Sequence, residues 1–264
     1  MQRHQVGASV DERRRDRPGP RRVTHAAVLR RSTAGVPAAQ VADRLCATAV
    51  VLLGLDAGAL CVLQAPQVSV PVGISGDLAL VAEQVQFTAG EGPCWTAYDS
   101  GTPVLVDDLS APGSPAQVRW PVYVAELVRV TPWRGLLALP VRVRLGVPVV
   151  LVAYSEAPLA ALGPPLQEWP AVVTALAEVL EAVTAAAAER PLWLDSSSAW
   201  RRGRVWMAEA LLVRSTPGLE PSPALAAMRT YCAVEGGTVD EVAEQLLSGT
   251  LTAVQVLGLP RGPD

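Results

Sequence analysis

Hydrophobic positions along the chain fall into two kinds of spacing, and each kind predicts its own element. Over residues 36–55, Val41, Leu45, Thr48 and Leu52 recur at helical spacing and predict an amphipathic helix. The runs DAGALCVLQ and VSVPVGIS then read as two short strands joined around Pro66, and residues 78–85 as a helical turn or two. GEGPCWTAYDSG starts as a glycine-rich loop and continues as a short helix through Ala97. TPVLVDDL reads as a Pro-led strand, and residues 118–128 as a helix with Trp120 and Pro121 near its start. GLLALPVRV and VPVVLVAY, turning at Gly146, form the clearest hairpin. Short antiparallel strands flanked by helices predict an α+β domain over residues 36–160.

A different pattern follows. Residues 166–189 form one long helical run, in which Val172, Leu176, Val179 and Val183 are spaced like a coiled-coil seam. This predicts a linker helix within residues 165–190 that joins two copies of the chain, or that covers the sheet of its own subunit. Pro191 and DSSS break the pattern, and three short helices are expected over residues 196–254. Their stripes are Val205/Ala208/Leu212, Leu225/Met228/Cys232 and Val239/Val242/Ala243/Leu246. The last of them, GGTVDEVAEQLLSG, is bounded at both ends: Thr238 and Glu241 have capping-box spacing, and Gly249 supplies the stop. Ser196–Ser198 and Ser222-Pro223 are the expected starts of the other two, and residues 255–264 are expected to be a tail.

Composition narrows the chemistry. Half of the 264 residues are hydrophobic but only 5% are aromatic, so Leu, Val and Ala must fill the core. The net charge of −3 hides an Arg-rich N-terminus, with nine Arg against three acids in residues 1–35, and that segment is expected to be disordered. His4 and His25 both lie there, and the four cysteines have no CxxC spacing, which argues against a Cys/His metal site or a haem in the body. Scattered thiols and a charged N-terminus without a signal-like apolar core point to the cytoplasm and away from a membrane. No metal and no cofactor are expected. GEGPC lacks the lysine and hydroxyl of a phosphate loop, and Asp107-Asp108 reads as a solvated turn. Cys94 reads as a small buried hydrophobe rather than a reactive thiol. Arg201, Arg202 and Arg204 cluster at the start of the first C-terminal helix, where they could meet phosphate.

Several of these stretches together resemble a known family. VQFTAGEGPCWTAYDSGTPVLVDDL, RWPVYVAEL and GLLALPVRVRLGVPVVLVAY are similar to the GAF domain of actinobacterial GAF–ANTAR regulators. RVWMAEALLV and ALAAMRTYCAVEGGTVDEVAEQLLSGTL resemble the ANTAR module that follows it. The resemblance implies a signal-sensing α+β GAF domain, a linker helix and an all-α three-helix output that binds RNA hairpins in nascent transcripts as a homodimer. It implies transcription antitermination, not enzymatic activity, and gives no reason to expect DNA. Mapped onto this chain, the RNA-facing positions are Arg201, Arg202, Arg204, Ala208, Glu209 and Ala210 on the first helix, with Arg229 and Tyr231 on the second. Glu209 and Ala210 depart from the family pattern, and a carboxylate facing phosphate predicts weaker binding.

The sensor pocket is expected between the sheet and residues 73–85 and 119–134, with Arg119, Tyr123 and Arg134 as its polar groups and its small-molecule ligand unknown. The cyclic-nucleotide version of the domain needs Asn and Lys, and the chain has neither. Two other readings stand beside RNA binding. One is an interaction module whose RNA contact is lost; the other is a GAF-type thiol reductase, for which no clustering of cysteines is visible in the sequence.

Overall fold

The computed structural model describes residues 24–64, 68–144, 146–186 and 196–258. Its elements run, in order, α1 (His25–Ser32), α2 (Ala38–Leu53), β1 (Ala57–Gln64), β2 (Val68–Ile74), α3 (Asp77–Ala89) and α4 (Pro93–Ser100). Then come β3 (Val104–Val106), α5 (Pro115–Arg119), α6 (Pro121–Val130), β4 (Gly135–Val141) and β5 (Val149–Ser155). After two short 3-10 turns, α7 (Trp169–Ala186), α8 (Ser197–Ser215), α9 (Pro221–Glu235), α10 (Val239–Ser248) and α11 (Ala253–Leu257) complete the described chain. The five strands form one antiparallel sheet in the order β2-β1-β5-β4-β3.

Strand alternation sends side chains to two helical layers. Leu60, Leu137, Leu139, Leu151 and Ala153 pack toward α1, α2 and α7. Cys61, Leu136, Ala138, Val150, Val152 and Tyr154 pack toward α3, α4, α5 and α6. Both faces of the sheet are therefore buried, which is why β4 and β5 read as nearly continuous apolar runs.

The linker helix takes the second of its two expected places, on the sheet of its own subunit. Val172, Leu176 and Val179 are fully buried in the first of these layers, against the chain's own sheet, and Val183 packs at its edge. The seam that could have met a second copy is used within the subunit. Residues 187–189, the end of the expected helix, lie outside the described residues. The described stretch 164–186 is long and apolar enough to cross a bilayer, but its apolar face is spent on the sheet.

The N-terminal expectation changes. Residues 1–23 lie outside the described part, but α1 is a formed helix with Thr24 as its N-cap. It buries Leu29 beneath α2 and α7, and His25 contacts Glu168 at 2.9 Å.

The three C-terminal helices form as the sequence predicts. Ser196 caps α8, and the Thr238/Glu241 capping box at α10 is complete. Two details differ. The residue at the start of α9 is Glu220, not Ser222, and α11 runs from the expected module into the expected tail, with its own capping box from Thr252 and Gln255. The helices share a core of Val205, Ala208, Leu212, Met228, Cys232, Val242 and Leu246. Phe87 of α3 belongs to that core too, so the α+β domain inserts a ring into the helical module.

Candidate functional site: a polar cluster between sheet and output helices

α3 carries the centre of the site. Its inner face, Ala79, Ala82, Glu83 and Gln86, is buried beneath the sheet, which puts a carboxylate and an amide where a helix ordinarily presents only apolar groups. From β1 comes Cys61, next to a β-bulge and paired with Pro71 on β2. From the start of α4 comes Cys94. The Cys61 thiol donates to Glu83 Oε2 at 3.1 Å, and Cys94 Sγ lies 4.0 Å from Oε1. Gln86 donates from its amide to the same carboxylate at 3.3 Å and accepts the Cys94 backbone N–H at 3.0 Å.

The glycine-rich loop makes this approach possible. Gly92 has φ 145°, and a Cβ there would meet Gln86 Oε1 at 2.6 Å. Glu91 accepts the backbone N–H groups of Val122 and Tyr123 at 2.8 and 3.1 Å, anchoring the first turn of α6. The loop is a clamp built from backbone and carboxylate. It locks α3, α4 and α6 together.

Burial governs the acid–base state. The Glu83 carboxyl is pushed above its ordinary range by desolvation, against the pull of the Cys61 thiol and of Arg202. The Cys61 thiol is pushed well up, first by its hydrogen bond with Cys94 and then by burial, and burial raises Cys94. Neither is a ready thiolate. Beside them, the hydroxyls of Tyr123 and Tyr154 pair at 3.3 Å, and Trp133 stacks on Tyr154.

On the far side of α3 the cluster reaches the output helices. Arg202 of α8 is 1% exposed, lies over the Phe87 ring and stands 3.6 Å from Asp240 of α10. Arg229 of α9 donates to the Phe87 carbonyl at 3.1 Å, and the Thr88 hydroxyl accepts the Val239 N–H at 3.0 Å. A cleft of about 660 Å³ opens between α3, α6 and α9, with Glu126, Arg129, Arg229 and Thr238 among its walls.

The expected site residues separate accordingly. Arg119 is exposed beside Trp120, Tyr123 is fully buried, and Arg134 is exposed and paired with Asp108, so the three do not converge on one pocket. Asp107 and Asp108 are structural: Asp107 accepts the Ala160 N–H at 2.6 Å. Of the RNA-facing set, Arg202 and Ala208 are buried, and Arg229 is turned to Phe87. Glu209 is partly buried, and its carboxyl is raised by burial against the attraction of Arg229. Arg201 and Ala210 are exposed and Tyr231 partly so, while Arg204 pairs with Glu244 at 2.6 Å. The expectation of unclustered cysteines fails, because the fold brings Cys61 and Cys94 to one carboxylate. Glu83 and Gln86 were legible only as polar residues at i and i+3 on an otherwise apolar helix face.

Residues 36–163 are a GAF domain, by their match to that family. No curated protein sequence matches the chain. Among solved structures, the chain is similar to the GAF domain of a phosphoenolpyruvate-protein phosphotransferase from Coxiella burnetii. There the identity is 20% and the TM-score 0.43, over 62% of this chain and 97% of that one. It is also similar to a free methionine-R-sulfoxide reductase from Neisseria meningitidis, at 18% identity and TM-score 0.41, over 62% of this chain and 90% of that one. A GAF domain is a sensory domain, and a signal-sensing role follows for this part of the chain.

Proposed function

We propose that the chain is a signal-responsive regulator of transcription antitermination, in which the GAF domain controls RNA-hairpin binding by α8, α9 and α10. The observation that carries the control is Arg202. It leaves the output helix to be buried against Phe87 and within the field of Glu83, so a change in the sensor's core has a direct physical route to the helices. The resemblance of these helices to ANTAR modules and the intact α10 capping box support the RNA reading. In the docked arrangement the basic surface is muted: Arg201 and Arg204 share a shallow cleft with Asp240, Glu241 and Glu244. Filter retention of an ANTAR-type hairpin tests the reading. Glu209→Lys is expected to tighten binding by removing a repulsive charge and the attraction that draws on Arg229. Arg204→Ala is expected to weaken it and lower its salt dependence. If wild type and Glu209→Lys both ignore such hairpins at low salt, the RNA reading fails.

The alternative is an interaction module, and one feature favours it. Trp200, Trp206 and Met207 are 56%, 38% and 53% exposed and border an apolar groove with Val62 and Val70. In this reading the expected homodimer forms at that groove rather than at the linker. Sedimentation of wild type against Trp206→Glu decides it: a monomeric wild type at micromolar concentration removes the dimer.

A further inference from the structure

We propose that Cys61, Glu83 and Cys94 form a binding site for a soft divalent cation of the zinc type. Two thiols and a carboxylate suit such an ion, and a tetrahedral zinc centre holds sulfur at about 2.3 Å and oxygen at about 2.0–2.2 Å. Those bond lengths set ligand atoms about 3.3–3.8 Å apart at the corners of the tetrahedron. The atoms here stand close to such separations: 3.1 Å from Cys61 Sγ to Glu83 Oε2, 4.0 Å from Cys94 Sγ to Oε1, and the ligand atoms all within 4.8 Å of one another. Side-chain shifts of up to about 1 Å close the geometry.

The supports are of the right kind. The three ligands come from three different elements, β1, α3 and α4, each fixed in the core, and all three residues are buried. Gln86 holds the carboxylate with one end of its amide and the α4 backbone with the other, the role that an orienting neighbour plays around a metal. A water carried in with the ion would complete four-coordination.

Charge favours the same assignment. Two thiolates, a carboxylate and a dication sum to −1. Facing that charge is the buried guanidinium of Arg202, whose Nε and Nη1 have no hydrogen-bond partner. Its ion-pair partner Asp240 faces it from α10 at 3.6 Å. Because the ligands are sealed from solvent, the ion would enter as the domain folds, and binding would count toward stability.

The test uses the full chain, purified under reducing conditions. The expected result is one zinc per chain, and, after unfolding with denaturant and chelator and refolding with graded Co²⁺, binding that saturates at one equivalent with an intense thiolate-to-cobalt charge-transfer band. The band is expected to vanish in Cys61→Ser and Cys94→Ser and to persist in Cys232→Ser, whose cysteine lies on α9. Gln86→Ala is expected to weaken Co²⁺ binding by about 10–100-fold. Because the cluster variants sit in the core and can fail to fold, X-ray absorption of the metal-loaded wild type gives a second readout, with two sulfur neighbours expected per metal. A wild type that folds in the presence of Zn²⁺ or Co²⁺ and holds no stoichiometric metal, or whose metal has fewer than two sulfur neighbours, overturns the proposal. The cluster is then a proton-sharing network only.

Discussion

The guanidinium carbon of Arg202 stands 3.3 Å from the centroid of the Phe87 ring, sandwiching the output helix α8 against sensor helix α3. A cation over an aromatic face is attracted by the ring quadrupole, and the attraction grows when water is excluded. Burial lowers the affinity of Arg202 for its proton, while Asp240 and Glu83 act to raise it. With the Arg229–Phe87 carbonyl and Val239–Thr88 hydrogen bonds, the pairing joins the sensor's α3 to the output helices.

Arg202→Ala is expected to destabilise the chain by about 3–5 kcal/mol, because it strips Asp240 of its cation and opens the space above Phe87. Replacing both partners, as Arg202→Met with Asp240→Leu, is expected to recover most of that loss. Urea denaturation measures it. A single-variant loss below about 1 kcal/mol, the scale of an exposed pair, would show that the contact does not couple the two cores.

Leu176→Ala is expected to cost about 2–5 kcal/mol, and Leu176→Glu to unfold the GAF domain rather than split a dimer. Leu176 is fully buried between α7 and the sheet of its own chain. Circular dichroism together with sedimentation separates the two outcomes. A folded, monomeric Leu176→Glu protein derived from a dimeric wild type would contradict the packing.

Thr238→Ala is expected to cost about 1 kcal/mol through loss of the α10 cap. The Thr238 hydroxyl accepts the Glu241 N–H at 3.3 Å, and Glu241 returns to the Thr238 N–H at 2.8 Å. Hydrogen exchange is expected to speed up in the first turn of α10 while the sheet stays protected. Equal acceleration across β1 and β5 would mean that the cap is not local.

Asp108 gives the chain an acid-side weakness. Its hydrogen bonds from Arg134 and Ser110 hold its carboxyl at about 2, below the ordinary 3.8. A depressed carboxylate contributes stability that is present above its unfolded value and fades as pH falls toward its folded one. Asp108→Asn is therefore expected to lower the melting temperature near neutral pH, and the gap from wild type should close between about pH 4 and about pH 2. A gap of constant size across that window would assign the effect to packing instead.

Local chemistry was legible in the sequence, and pairing across the fold was not. Thr238, Glu241 and Gly249 lie within one short segment and fix the bounds of α10 by themselves. The hairpin of β4 and β5 was equally readable, since its strands are adjacent in the chain. The stripe Val172/Leu176/Val179/Val183 says only that one helix face needs an apolar partner. That a sheet of the same chain supplies it depends on where β4 and α2 come to rest. Arg202 looked like a phosphate contact because a helix start rich in Arg is ordinarily solvated, and it is buried by Phe87 and faced by Asp240, both far away in sequence. Cys61 and Cys94 meet for the same reason: a strand and a helix start, well separated in sequence, converge on Glu83.

The sheet has two margins, and each is poorly suited to accept a stranger. On one side, β2 carries Pro71, which removes a backbone donor, and α8 packs against the strand. On the other, β3 offers only Val104, Leu105 and Val106, directly after Pro103. Neither border presents the long flat row of free amide and carbonyl groups on which chains stack into fibrils. During synthesis the strands are complete before α8 emerges, so Pro71 alone guards the β2 border in that interval. Its replacement by Val or Thr would leave the finished protein little changed and would show its cost as aggregation of the nascent chain.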